Sequence, residues 1–168
     1  MGHLPKPLPD SDYLHELLAY SLITGNLYWR KNGKRIYAGN KAGSFYSRIG
    51  YYVVVIDKQK YYAHRLIWKM ITGADPAVVD HIDGNGSNNC WLNLREANVS
   101  QNGMNRKQGS SNSSGYKGVY YHKQNGCFTA QICVNYKKWH LGCFPTAQEA
   151  SAAYQKASQE LHGEFANN

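Results

Sequence analysis

Residues 108 to 115 read Gln-Gly-Ser-Ser-Asn-Ser-Ser-Gly, a run without one side chain able to bury itself. Such a composition behaves as a flexible linker, so the 168 residues are expected to build two small units in place of one large core. The expected division is a first unit over 1–106, a linker over 107–115 and a second unit over 116–168. Basic residues outnumber acidic ones in both stretches of the chain, twelve to eight over 1–105 and seven to three over 106–168, a surplus of four in each. A polyanionic partner, nucleic acid first, is the electrostatic expectation, although surplus lysine can also simply solvate a surface.

The N-terminal stretch changes period several times. Ser11 or Asp12 can cap a short helix reaching Tyr20 with Leu14, Leu17 and Leu18 on one stripe. From 26 to 63 the pattern is that of strands, Leu27 to Arg30, Tyr51 to Ile56 and Lys60 to Ala63, which predicts a small antiparallel sheet. His64 to Thr72 returns to a helical stripe that Gly73 ends. Val78 to Ile82 and Asn93 to Ala97 read as two strands around a polar loop. Asn98 or Ser100 then caps a helix to about Arg106.

This strand, strand, helix order is expected to gather Asp80, His81 and Asn102 into one pocket. Asp80 and Asn102 offer hard oxygen ligands, and His81 is a base that titrates near neutrality. Such a trio suits metal-assisted hydrolysis of a polyanion. The Asp83-Gly84-Asn85-Gly86 run is not a calcium loop, because the twelfth position counted from Asp83 is Leu94 and not the bidentate Glu such a loop needs. Asn85, Asn88 and Asn89 read as turn formers with positive φ.

Beyond the linker, a strand alternates cleanly, Phe128, Ala130, Ile132 and Val134 against Thr129, Gln131, Cys133 and Asn135. A further strand spans Lys138 to Phe144. Thr146 and Glu149 form a capping box for a helix carrying Ala150, Ala153, Tyr154, Ala157 and Leu161 on one stripe. The expected unit is three antiparallel strands on one helix with the other sheet face open. Four lysines and no acid lie between Tyr116 and Phe144, so that face suits DNA.

Cys90, Cys127, Cys133 and Cys143 form no Cys-x-x-Cys pair. With no secretory leader and no apolar run of roughly 18 to 20 residues, the expectation is a soluble cytoplasmic protein with reduced thiols, no structural zinc and no membrane partner.

His64-Arg65-Leu66, Asp80-His81-Ile82-Asp83-Gly84-Asn85, Asn93-Leu94-Arg95 and Ser100-Gln101-Asn102 together resemble the HNH endonucleases of bacteriophages, particularly the free-standing homing type. Tyr116-Lys117-Gly118-Val119, the Leu141-Gly142-x-Phe144 corner, the Ala-rich helix and His162-Gly163-Glu164-Phe165-Ala166 resemble the DNA-binding domain of the APETALA-two/ethylene-response-factor type. The resemblances imply an α+β chain. A small N-terminal antiparallel sheet (26–63) and a ββα-metal core (64–106) would be followed by the three-stranded unit, with catalysis of DNA cleavage in a phage-infected bacterial cell.

They further imply that Asp80 and Asn102 hold one divalent cation, Mg²⁺ first and Mn²⁺ as the alternative, and that His81 is the general base. A strand carbonyl or the Asn93 side chain would orient its ring. Asn93 would tie the loop and His64 would support the site from behind. Double-stranded DNA is the implied partner, with a monomer favoured. Its contacts would come from Arg65, Arg106, Lys107, Lys117, Tyr120, His122, Gln131, Asn135, Lys138 and His140. Tyr61 and Tyr62 read as core. The rival reading is a non-catalytic DNA-binding regulator built on a nuclease-derived scaffold.

Overall fold

A computed structural model describes residues 7–106 and 112–167. The protein is α+β and divides into two compact units, Met1–Ala97 and Asn98–Asn168. The second unit therefore begins ahead of the boundary expected at residue 106. The reason is local: Lys117 Nζ donates to the Met104 carbonyl, and the Asn167 amide donates to the Asn105 carbonyl, tying the segment after Asn98 into the second unit. Of the expected linker, 107–111 lie outside the described residues. At its other end Asn112 and Ser114 are built into a turn, their side chains donating to the Tyr116 and Val119 carbonyls.

In the first unit, α1 (Ser11–Leu17) starts at Asp10, whose carboxylate accepts the Asp12 N–H. The helix stops before the expected Tyr20 because Leu18–Tyr20 forms β1, paired antiparallel with β2 (Leu27–Trp29). Leu14 and Leu18 are fully buried either way, which is why an apolar spacing of four could not separate the two outcomes.

A second sheet has the order β3 (Ser44–Tyr46), β4 (Tyr51–Ile56), β5 (Gln59–Tyr62). The expected single sheet is thus two, and β3, three exposed residues beside Gly43, carried too little pattern to be read. Asp57 and Lys58 both take positive φ, the geometry of a two-residue hairpin turn whose twist matches that of the strands. Val54 and Ile56 face the core with Leu66, Ile67 and Met70 of α2 (Ala63–Thr72), which Gly73 ends in the left-handed conformation. Against that core lies a two-stranded ribbon of β6 (Val78–His81) and β7 (Leu94–Ala97), with Val79 and Leu94 inward.

The second unit opens with α3 (Val99–Met104), closed by a capping box between Asn98 and Gln101. Its sheet has the order β10 (Lys137–Phe144), β9 (Cys127–Val134), β8 (Val119–His122), with a bulge between His140 and Gly142. Val119, Ala130 and Ile132 pack under α4 (Ala147–His162), which Thr146 caps by accepting the Glu149 N–H. The buried stripe of α4 is Ala150, Ser151, Tyr154, Ala157, Ser158 and His162. Leu161, expected inside, is half exposed; His162 takes the inward place by hydrogen bonding to the Cys133 carbonyl and to Ser158. Gly118 is required here, since any Cβ would enter the Tyr154 ring.

Candidate active site

The end of β6 carries Asp80 and His81, both only 4% exposed. The loop that follows is held by hydrogen bonds and not by apolar packing. Asn93 accepts from the Asp83 N–H and donates to Asp83 Oδ1 and to the Asn88 carbonyl, while Asn88 donates to Asp83 Oδ2. Burial would raise the Asp83 carboxyl, but the bonds from Asn88, the Asn85 N–H and Asn93 outweigh it and hold the group below its usual range. Gly86 lets the loop lie directly against Gly50 and the Tyr51 ring, where a Cβ has no room. Asn93 thus bonds to both ends of the loop, to Asp83 and to the Asn88 carbonyl.

His81 Nε2 lies 2.9 Å from Asn89 Oδ1, in a fully buried contact. With the amide oxygen as acceptor, Nε2 bears the proton and Nδ1 bears the lone pair. Asn89 is itself only 4% exposed, and Tyr20 of β1 donates to its backbone carbonyl at 2.8 Å. The ring is therefore oriented by Asn89, not by Asn93. Two adjacent asparagines in a polar loop read as turn formers; Asn85, Asn88 and Asn89 all keep negative φ, and burial turns one of them inward. Desolvation lowers the His81 pKa, and the Asn89 bond and the Asp83 and Asp80 charges offset part of that, so the ring is neutral at physiological pH.

His64, at 6% exposure, stands edge-on to His81 with ring centroids 5.0 Å apart and stacks on Tyr62 at 5.4 Å. Tyr51 completes the cage, 5.1 Å from His64 and 5.7 Å from His81. Desolvation, then His81 and Arg65, push the His64 pKa down to about 3. Its Nδ1 has no hydrogen-bond partner among the described residues, so His64 supports the base by packing.

Asp80 pairs with Arg95 across the ribbon, and His81 pairs with Leu94, so the carboxylate and the imidazole leave the strand on opposite faces. Arg95 Nε and Nη2 reach Asp80 Oδ2 at 2.9 and 2.8 Å. Neither this ion pair nor Asn89 was anticipated; the ribbon register was the signal that could have found Arg95. Asn102 lies half-buried on α3 of the second unit. Asp80 and Asn102 are oxygen donors, a chemistry that fits a hard cation content with few protein ligands. Among the described residues no group of three or more His, Cys, Asp or Glu could hold a metal ion.

Of the expected DNA contacts, Arg65 is mostly buried and bonded to Asp75 at 2.7 Å. Lys117 is turned inward, donating to the Met104 and Asn167 carbonyls at 2.7 Å each, and desolvation lowers its pKa to about 8. Its ammonium is thus committed to two carbonyls of the second unit. Tyr120, His122, Gln131, Lys138 and His140 share the sheet face opposite α4, and Asn135 sits exposed in the β9–β10 turn at φ 49. Gln131 and Lys138 also line a cavity of about 310 Å³ with Val99 and Met104 of α3. Thr129, on the same face, is buried beside Cys143. Arg106 is exposed, and Lys107 lies outside the described residues.

Residues 61–104 match the family model of an HNH endonuclease. The chain is 37% identical over 118 residues to an uncharacterised HNH endonuclease of Acanthamoeba polyphaga mimivirus, a match covering 68% of this chain and 60% of that protein. It is 32% identical over 105 residues to Protein 3.8 of Escherichia phage T7, covering 61% of this chain and 86% of that protein. Over 62 residues it is 42% identical to an AP2/ERF and B3 domain-containing transcription factor of Arabidopsis thaliana, 37% of this chain and 17% of that protein. Among the described residues no helix is long and apolar enough to cross a membrane.

Proposed function

Since the chain belongs to the HNH endonuclease family, we propose that it hydrolyses DNA phosphodiester bonds with His81 as the general base, in the manner of a phage homing endonuclease. The observation that carries this reading is the His81–Asn89 contact, a buried neutral imidazole with its Nε2 committed to an amide oxygen. Nδ1 then takes a proton from the attacking water. A positioned base of this kind contributes roughly 10² to 10⁴ in rate. Asn89 keeps the ring in one tautomer, the Tyr51 and His64 rings packed on it keep it from rotating, and the Asn93-tied loop keeps the ribbon end open for a phosphate.

Asp80 and Asn102 are the residues that would hold one divalent cation, Mg²⁺ or alternatively Mn²⁺. Bound there, it would supply charge neutralisation for the phosphate and the departing oxygen. Arg95 holds the Asp80 carboxylate in a single orientation. The second unit docks duplex DNA through Tyr120, His122, Gln131, Asn135, Lys138 and His140, with Arg106 and Lys107 adding charge from the chain ahead of that sheet, a reading supported by the likeness of part of the chain to a plant transcription factor.

Supercoiled plasmid with Mg²⁺ tests the reading. Nicking or linearisation by the protein, lost in His81→Ala and in excess EDTA, is the expected result; full-rate cutting by His81→Ala would remove the mechanism. The pairing of Asp80 with Arg95 favours one rival, a DNA-binding regulator in which that carboxylate is purely structural. Retardation of the plasmid without any nicking would decide for it.

A further inference from the structure

The sheet of β3, β4 and β5 has one face on the core and one that is not covered in the same way. Val54 and Ile56 are inside, with Tyr52 and Tyr61 partly buried beside them. By the strand register the other face carries Tyr46 opposite Tyr51, Val53 opposite Tyr62, and Val55 opposite Lys60. Tyr46 is 40% exposed and Tyr62 41%, so Tyr62 is not the core residue its position suggested. Tyr46, Ile49, Val53, Lys60 and Tyr62 line a groove of about 260 Å³.

Two features say what this groove takes. Its charge is one-sided: Lys60 Nζ stands 5.4 Å from the Tyr46 ring centroid, and Arg48 and Lys58 are exposed at the two hairpin turns. The acid nearest in sequence, Asp57, accepts a hydrogen bond from the Tyr13 hydroxyl. The groove adjoins the candidate active site through one of its own walls, since Tyr62 stacks on His64 and His64 stands edge-on to His81. Exposed tyrosines interleaved with cations stack on the flat faces of bases, which are free only where the bases are unpaired.

We propose that this groove binds single-stranded DNA, taking unpaired bases of the substrate strand beside the cleaved phosphate, with Tyr46 and the open side of Tyr62 as stacking surfaces and Lys60 and Arg48 on the backbone. The placement beside the cut rests on the nuclease reading; the binding does not. It is a second nucleic-acid surface, separate in the chain from the sheet of β8 to β10.

Full-length protein is titrated in EDTA, by fluorescence anisotropy, with a labelled 15-nucleotide oligothymidine and with a labelled 30-base-pair duplex of mixed sequence. The double variant Tyr46→Ala/Lys60→Ala changes only exposed side chains. It should weaken oligothymidine binding about tenfold or more, the scale of losing one stacked base, and leave duplex affinity within twofold. Tyr46→Phe should bind oligothymidine like the wild type. Equal losses on both probes would reduce the groove to a backbone-charge surface and overturn the proposal, as would no loss on either. If the wild type binds oligothymidine through Tyr46 yet never nicks plasmid, the nuclease reading fails while the groove stands.

Discussion

Replacing Arg95 by Met should damage the first unit far more than the loss of a surface charge. The guanidinium contacts Asp80 Oδ2 through two nitrogens, at 2.9 and 2.8 Å, and the side chains are only 12% and 5% exposed. An exposed pair would be worth under about 1 kcal/mol, but removing one partner of a buried pair leaves a charge in a poorly solvated place and costs about 3 to 5 kcal/mol. For a unit of this size that corresponds to a fall of roughly 12 °C or more in the midpoint of thermal unfolding. Tryptophan fluorescence reports chiefly on the right transition, since three of the four tryptophans, Trp29, Trp68 and Trp91, belong to the first unit and Trp68 and Trp91 pack at 5.0 Å, while Trp139 of the second unit is already exposed in the folded protein. Asp80→Asn/Arg95→Met, which leaves no charge behind, should recover at least about 1 kcal/mol of the loss in a double-mutant cycle. Added Mg²⁺ should raise the midpoint of Arg95→Met more than that of the wild type, as a cation replaces the lost positive charge. An Arg95→Met protein within about 0.5 kcal/mol of wild type, or strictly additive substitutions, would show that the ion pair does not set the energy of the ribbon.

Asn89→Ala should lower kcat about 10- to 100-fold with little change in KM for DNA, because it loosens the base and not the substrate. The same change removes a bond that raises the His81 pKa, so the acid limb of the pH–rate profile should move to lower pH; a limb that stays in place would count against Asn89 as the orienting group. His64 is folded as the neutral ring with a pKa of about 3 against 6.5 free, so its contribution is complete above pH 6.5 and declines by about 1.4 kcal/mol per unit as pH falls toward 3. Urea unfolding at pH 7, 5.5 and 4 should show that slope, and His64→Phe should flatten it. Lys117→Ala should destabilise the second unit by about 1 to 3 kcal/mol, by stranding two carbonyls, without changing the salt dependence of duplex binding. Lys138→Ala should do the reverse, reducing the salt slope by about one, and a salt slope altered by Lys117→Ala would restore that residue to the DNA contacts.

Whatever depends on residue type and short-range period was legible in the amino-acid sequence. The alternation of β9, the Gly73 stop and the strand, loop, strand, helix order around Asp80 and His81 all follow from side-chain period and turn chemistry, which act over a few residues. Even the HNH likeness is a matter of which side chains stand at which spacing. Other decisions needed a partner from far along the chain. Leu18–Tyr20 is a strand only because Leu27–Trp29 pairs with it, and Asn89 orients His81 only because Tyr20 and the folded loop hold it inside. Lys117 turns inward because two carbonyls distant in sequence meet it there, Arg95 reaches Asp80 through the ribbon register, and Tyr62 is exposed because its strand shows its other face to the core. Burial and electrostatic pairing are properties of the closed chain, so the chemistry was named by composition and spacing, while the partners that tune it were chosen by tertiary packing.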